Sequence, residues 1–241
     1  MADVVMNPAR AKGDPSLSPT GIFCINPGEA AFCCKLAAEQ GGLRCRLFNS
    51  NLFQVPAADR TKPFFVAGPA VGAPMAVMTL EKLVALGAKR IIVYGWCGAL
   101  AETMRTGDVL LPTWALSEEG TSAHYPVEGR PESSPTLRLA LAEHLQGRNI
   151  ALNSGPVWTT DAPYRETWDK VHTYRQSLLG IDMEFAALCT AAAFRGVDLA
   201  AVFLVSDELW RQPWQPGYKD KLFKQRSRTV LEILFDFCRT F

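Results

Sequence analysis

Three acids stand in two short stretches of this sequence: Asp182 and Glu184 in Gly-Ile-Asp-Met-Glu (180–184), and Asp207 in Val-Ser-Asp (205–207). Carboxyl groups brought to one cleft can hold hydroxyl groups while one of them carries a proton to or from a reacting atom. Whether they meet depends on the elements between them. After Glu184, alanines and apolar residues recur at helical spacing to Phe194, and Arg195-Gly196 supplies a stop. Leu199 to Val205 is almost purely apolar, as a strand buried on both faces would be. A helix of about fourteen residues rises roughly 21 Å, and a strand of about seven returns roughly 23 Å. Glu184 and Asp207 are therefore expected at the same end of the unit, where strand carboxyl ends bind ligands in α/β sheets. Without a function, Asp182 would be a helix N-cap, Glu184 a first-turn acid favoured by the helix dipole, and Asp207 a turn residue.

The remaining elements form a frame for this unit. Gly21 to Ile25 reads as a strand, Asn26-Pro27-Gly28-Glu29 as a turn, and Ala30 to Ala38 as a helix. That order aims helix-start amides at an anion. A strand is expected around Leu43 to Phe48, then a loop through Pro56. Pro63 to Ala67, Met75 to Leu86 and Arg90 to Tyr94 read as strand, helix and strand, a right-handed βαβ unit ending at Gly95-Trp96-Cys97-Gly98-Ala99. A strand over Gly107 to Pro112, a polar stretch from Glu118 to Tyr125, a helix over Pro135 to Gln146 and a strand over Ile150 to Trp158 follow. The loop Leu209 to Gly217 is rich in Trp and Pro, suited to a lid or a subunit contact. The helix Lys219 to Cys238 should turn Phe223, Val230, Leu231, Leu234 and Phe237 inward.

Composition sets the outer bounds. The chain has 241 residues, 48% hydrophobic and 20% charged, which fits one α/β domain over 21–241 after an extended, Pro-rich arm over 1–20. A net charge of +1 gives no field to draw in nucleic acid or an anionic membrane. No apolar run reaches the length of a membrane span, and the first twenty residues lack the apolar centre of a secretory signal. Seven cysteines, an odd number without Cys-x-x-Cys, point to a reducing, cytoplasmic setting. His124, His144 and His172 lie far apart, so no metal site is expected. A nucleotide-dependent dehydrogenase would want Gly-x-Gly-x-x-Gly after the first strand, and none is present.

Gly-Ile-Asp-Met-Glu paired with Val-Ser-Asp resembles the signature of the nucleoside phosphorylase family of purine nucleoside and uridine phosphorylases, and the resemblance runs from Gly21 to Glu208. It implies a three-layer α/β/α fold around a mixed, mostly parallel twisted sheet. It also implies that Met183 and Glu184 hold a ribose and that Asp207 protonates a purine, with Asp182 and Ser206 counted among the substrate-binding residues. The base-side loop would be Thr159 to Glu166, with Trp158 and Tyr164 as stacking aromatics and Arg165 as a donor. Glu118 to Tyr125 is similar to a segment near the site in the uridine branch. Pro27-Gly28 matches the phosphate turn, with Glu29 in place of an Asp, and Gly95 matches its partner glycine.

The pattern breaks at the anion. Family arginines correspond here to Phe32 and Val93, and a small hydroxyl residue corresponds to Trp96. Neutral side chains cannot replace bidentate guanidinium bonds. Arg44, Arg46 or Arg165 could bring charge across a subunit contact. The expected reaction is phosphorolysis of a purine nucleoside to free base and pentose 1-phosphate, with inorganic phosphate as co-substrate and no cofactor. A phosphate-independent nucleosidase with Glu29 as base and a non-catalytic nucleoside- or base-binding protein are the alternatives. The expected partners are a small-molecule nucleoside and further copies of the chain, as a dimer to hexamer.

Overall fold

Apolar strands whose alternate side chains are all buried need cover on both faces. The computed structural model describes residues 4–47 and 49–241. In chain order these form β1 (Thr20–Cys24), α1 (Pro27–Glu39), β2 (Leu43–Arg46), β3 (Asn51–Val55), β4 (Phe64–Gly68), α2 (Ala73–Leu86), β5 (Arg90–Ala99) and β6 (Val109–Glu118). There follow α3 (Pro135–Gly147), β7 (Leu152–Thr160), α4 (Trp168–Tyr174), β8 (Gly180–Asp182), α5 (Phe185–Arg195), β9 (Asp198–Glu208), β10 (Gln215–Pro216) and α6 (Lys221–Thr240).

The central strands β4, β1, β5 and β9 pair in parallel. On one face Phe23, Phe65, Val93 and Ala201 pack with Leu80 and Leu83 of α2 and Leu188 of α5. On the other, Ile22, Val66, Ile92 and Val202 pack with Cys33 of α1, Leu141 of α3 and Leu234 of α6. The three layers follow from that alternation. Phe223, Val230, Leu231, Leu234 and Phe237 of α6 are all buried. Antiparallel β3 and β2 extend the sheet beyond β4. Beyond β5 the sheet curls. β9 pairs antiparallel with β6, β6 and β7 and β8 run parallel, and β8 returns antiparallel to β5. Five strands thus close a circuit whose rim holds the acids.

Several elements depart from the sequence reading. The helix after Glu184 starts at Phe185, because Gly180–Asp182 is drawn into the sheet between β5 and β7. β5 continues through Gly95-Trp96-Cys97-Gly98 to Ala99, since β8 and β9 supply partners on its two sides. β3 stands where a loop was expected, and β10 and the helix α4 are additional. The expected end of one strand at Phe48 lies outside the described residues, and β2 ends at Arg46. Residues 4–19 carry no helix or strand, yet Leu17 is buried, and Lys82 Nζ donates to Ala9 O (2.7 Å) and Asp14 Oδ2 (2.6 Å). Among the described residues no helix is long and apolar enough to cross a membrane.

Candidate active site

The register between β5 and β9 slips by one residue: Cys97 faces Val205, but Gly98 faces Asp207. Ser206 is the extra residue of a β-bulge, a device that re-aims side chains at sheet ends. Ser206 Oγ lies 2.6 Å from Asp207 Oδ1 and 3.2 Å from Cys97 O, and its single hydrogen serves one of them at a time. Trp214 Nε1 donates to Asp207 Oδ2 at 2.8 Å, so the Trp- and Pro-rich loop does lie over this acid. A Cβ at Gly98 would sit 2.1 Å from the Leu209 side-chain tip and 3.2 Å from Asp207 Oδ2, so a larger residue there would have to displace Leu209 and would crowd the carboxylate.

Glu184 is the N-cap residue of α5, and its Oε1 accepts the Gly72 N–H at 2.6 Å. Gly72, at φ +88°, takes a backbone conformation open to glycine and caps α2. The acid and the amide that orders it thus come from the starts of two different helices, α5 and α2. Asp182 works inward: Oδ1 accepts from Thr159 Oγ1 at 2.6 Å, and Oδ2 accepts the N–H groups of Glu184 at 2.8 Å and Phe185 at 2.6 Å. It ties off the start of α5. Burial pushes Glu184 up to about 8, and the Asp182 charge adds to that. Burial also raises Asp182, to about 6, against the hydroxyl and two amides that favour its charge. Of this pair, Glu184 is therefore the one that keeps a proton near neutrality.

Asp182, Met183, Glu184, Ser206 and Asp207 line one cavity of about 210 Å³, with Asn26, Val71, Trp96 and Glu166 completing its polar and apolar walls. Among its lining residues are four carboxyl groups and no Lys, Arg or His. Glu166 was not singled out from the sequence, although it ends the quoted base-side stretch. Burial, then the charge of Asp207, pushes it up to about 7.

Other expected residues fall elsewhere. Trp158 is 1% exposed and packs edge-on against Tyr174 with centroids 4.9 Å apart, because its position on β7 points into a separate apolar cluster. Tyr164 is 98% exposed, and Arg165 is exposed, since the 3-10 turn Pro163–Arg165 carries both outward. From Glu118 to Tyr125, no residue lines the cavity. Tyr125 instead donates to Glu81 at 2.9 Å and packs on Phe194. Gly28 is exposed in the first turn of α1.

Behind the cavity, on the α1 and α6 side, lies the expected anion region. The Trp96 ring stacks on Tyr218 (5.9 Å, 20°) and meets Phe223 edge-on at 5.3 Å. Phe32 packs against this cluster under Arg228, Val93 is buried on the opposite face of the sheet, and Gly95 backs onto the Phe203 ring. Buried Glu29 accepts from Ser227 Oγ at 3.3 Å, and Ser227 in turn meets Tyr94 OH at 3.0 Å. Burial raises the Glu29 carboxyl. The Trp96 indole N–H lies near enough to favour its charge but outside hydrogen-bonding geometry. Glu29 Oε2, Trp96 Nε1 and Asn26 Oδ1 are buried without partners among the described residues.

A family model described as the phosphorylase superfamily matches residues 20–238. A guanosine phosphorylase from Halorubrum lacusprofundi is 30% identical over 60% of this chain, a match that spans 61% of that protein. A DeoD-type purine nucleoside phosphorylase from Dichelobacter nodosus is 26% identical over 82% of this chain and 84% of its own. The solved purine nucleoside phosphorylase from Toxoplasma gondii, in complex with immucillin-H, superposes with a TM-score of 0.82 at 23% identity, covering 92% of this chain and 91% of that one. Uridine phosphorylase from Vibrio fischeri ES114 gives 0.81 at 20%, covering 97% and 98%. At these identities the structural likeness speaks for the fold.

Proposed function

The chain belongs to the phosphorylase superfamily, and from that premise we propose that it cleaves the N-glycosidic bond of a purine nucleoside by phosphorolysis, giving free base and pentose 1-phosphate. The observation that carries this reading is the convergence of Glu184, Met183 and Asp207 on one cavity. Met183 offers an apolar seat for the sugar, and Glu184 takes ribose hydroxyls. As the bond from the anomeric carbon to the base nitrogen breaks, its electron pair leaves with the base. Asp207, oriented by Ser206 and Trp214, passes a proton drawn from solvent to the base nitrogen as that charge develops. The sugar becomes cationic in the transition state, and the nearby carboxyl groups favour that charge. Phosphate then closes on the anomeric carbon.

The cations for phosphate come, in this reading, from a neighbouring copy. Arg44 and Arg46 are exposed on β2, and Val71, Met75 and Met78 form an exposed apolar row at the start of α2 that a second copy would cover.

A second reading, hydrolysis, is favoured by one feature: the cavity is lined by acids without Lys, Arg or His, and its wall includes Asn26, while Glu29 is buried behind it and does not line it. The separating experiment follows base release from adenosine, inosine and guanosine by the purified chain, with and without phosphate. Release that requires phosphate supports phosphorolysis, and equal release without it supports water. No release, with a melting temperature raised by nucleoside, leaves a binding protein.

A further inference from the structure

Three of the four carboxyl groups lining the cavity are committed within the chain. Asp182 caps α5, Glu184 takes the Gly72 amide, and Asp207 is held by Ser206 and Trp214. Glu166 is the exception. It is half-buried just after the 3-10 turn Pro163–Arg165, and among the described residues its carboxyl has no hydrogen-bond or ion-pair partner. It also feels the like charge of Asp207, the charged neighbour that acts on it most. A partly desolvated carboxyl beside another acid, with water as its only donor, holds its charge at a cost. That cost is offset if the ligand brings the donor.

We propose that Glu166 is the residue that selects the base, accepting an N–H of an exocyclic amine so that the cleft takes an aminated nucleobase in preference to its carbonyl counterpart. This rests on the reading of the cavity as a nucleoside site and names which nucleosides it prefers. The two acids reach the cavity from different elements. Asp207 sits on the bulge at the end of β9, and Glu166 follows the 3-10 turn in the loop after β7. An amine aimed at Glu166 supplies the hydrogen that the protein withholds. A carbonyl oxygen at the same place would set lone pairs against lone pairs. Such a site discriminates mainly by leaving its own polar group unpaired when the wrong base binds. Its position next to Asp207 sharpens the choice, because a donor shared with that edge of the cavity relieves two acids at once. Burial and the Asp207 charge raise Glu166 to about 7, and its protonated form would donate to a carbonyl, so the preference for the amine is expected in full only above that pH.

The test compares kcat/KM for adenosine and inosine, which differ by amine against carbonyl at one carbon, in the wild type, Glu166→Gln and Glu166→Leu. The wild type should favour adenosine. Gln can turn either its amide NH2 or its carbonyl to the base, so the adenosine-to-inosine ratio should fall roughly 10- to 100-fold in Glu166→Gln, the worth of a hydrogen bond to a charged group. Glu166→Leu should lose adenosine turnover further while keeping a melting temperature at or above that of the wild type, because it removes an unpaired acid. Thermal shifts with free adenine and free hypoxanthine report the same preference without turnover. An unchanged ratio in an active Glu166→Gln enzyme, or a wild type that favours inosine, overturns the role of Glu166 and leaves the nucleoside site standing. A wild type that neither cleaves nor binds any nucleoside or base overturns the nucleoside reading itself.

Discussion

At one end of the cleft Glu184 and Asp207 are each fixed by groups from a second element: a glycine amide from the start of α2, and an indole from the loop before α6. At the other end Trp96 is packed by Tyr218 and Phe223, and Trp96, Asn26 and, behind them, Glu29 each keep a buried polar atom without a partner among the described residues. The first end is finished inside one chain, and the second is not. A family shares a fold through its sheet and core, whereas its chemistry sits on a few rim residues that can change independently. By the resemblance, Met183, Glu184 and Asp207 keep the expected types, while Phe32, Val93 and Trp96 stand where it implies guanidinium and hydroxyl groups. The contrast can be broken from either side.

The largest effects belong to the finished end. Glu184→Ala and Asp207→Asn should each lower kcat by ~100- to 10,000-fold, the range for a group acting on the reacting atoms. Asp207→Asn should leave nucleoside KM near the wild-type value, because its role is confined to the departing base. A tenfold loss or less in both variants would erase the distinction between the two ends.

These two acids were legible in sequence and their setting was not. Helix start and strand tip were expected at one end of the unit, but from lengths of about fourteen and seven residues, whereas α5 and β9 each have eleven. The agreement came from connectivity: α5 leaves the rim where β8 meets the end of β5, and β9, parallel to β5, brings the chain back to that rim. The bulge at Ser206 depends on how β9 meets β5, and pairing register is tertiary information. Glu166 was visible as an acid in a loop after a strand, but the turn that sends Tyr164 outward and leaves Glu166 against the cavity has no sequence marker. Trp158 shows the reverse. Its type suggested stacking on a base, and strand alternation placed it in the core. The replacements at Phe32, Val93 and Trp96 needed only a comparison of residue types.

At the unfinished end, Trp96→Ser removes a stacked and edge-packed ring from a partly buried site. The loss should be about 2–4 kcal/mol of stability, below the range for a wholly buried aromatic, measured by urea unfolding. The same change frees volume at the entry to the anion region. If phosphate is the co-substrate, its KM should fall in this variant. A variant that is destabilised but still indifferent to phosphate would favour water and turn attention to Glu29.

Asp182, Glu166 and Glu184 are all raised, and Glu184 is raised highest. With a folded value raised to about 8 from 4.5, it holds a proton that the unfolded chain has lost. Its contribution to stability is therefore full below about pH 4.5 and declines as pH rises through 8. Ribose hydroxyls donate to the ionised form, so nucleoside binding near pH 7 should release up to about one proton, and affinity should rise by at most about tenfold per pH unit toward 8. Calorimetry in buffers of different ionisation enthalpy measures that release. The Glu184→Gln variant should lose the share of that release that Glu184 supplies.

The smallest effect separates a cover from a working part. Trp214 is 48% exposed, and its indole shares Asp207 with Ser206. In Trp214→Phe the ring remains and the N–H is lost, and water can reach the freed oxygen from the open side. The loss should then be about 1 kcal/mol, the net worth of one hydrogen bond, or roughly fivefold in kcat/KM. Ser206→Ala, which removes the buried partner that water cannot replace, should cost more. If Trp214→Phe instead matches Asp207→Asn, the indole sets the proton position on Asp207. The finished end of the cleft would then owe its chemistry to a loop, not to the bulged sheet beneath it.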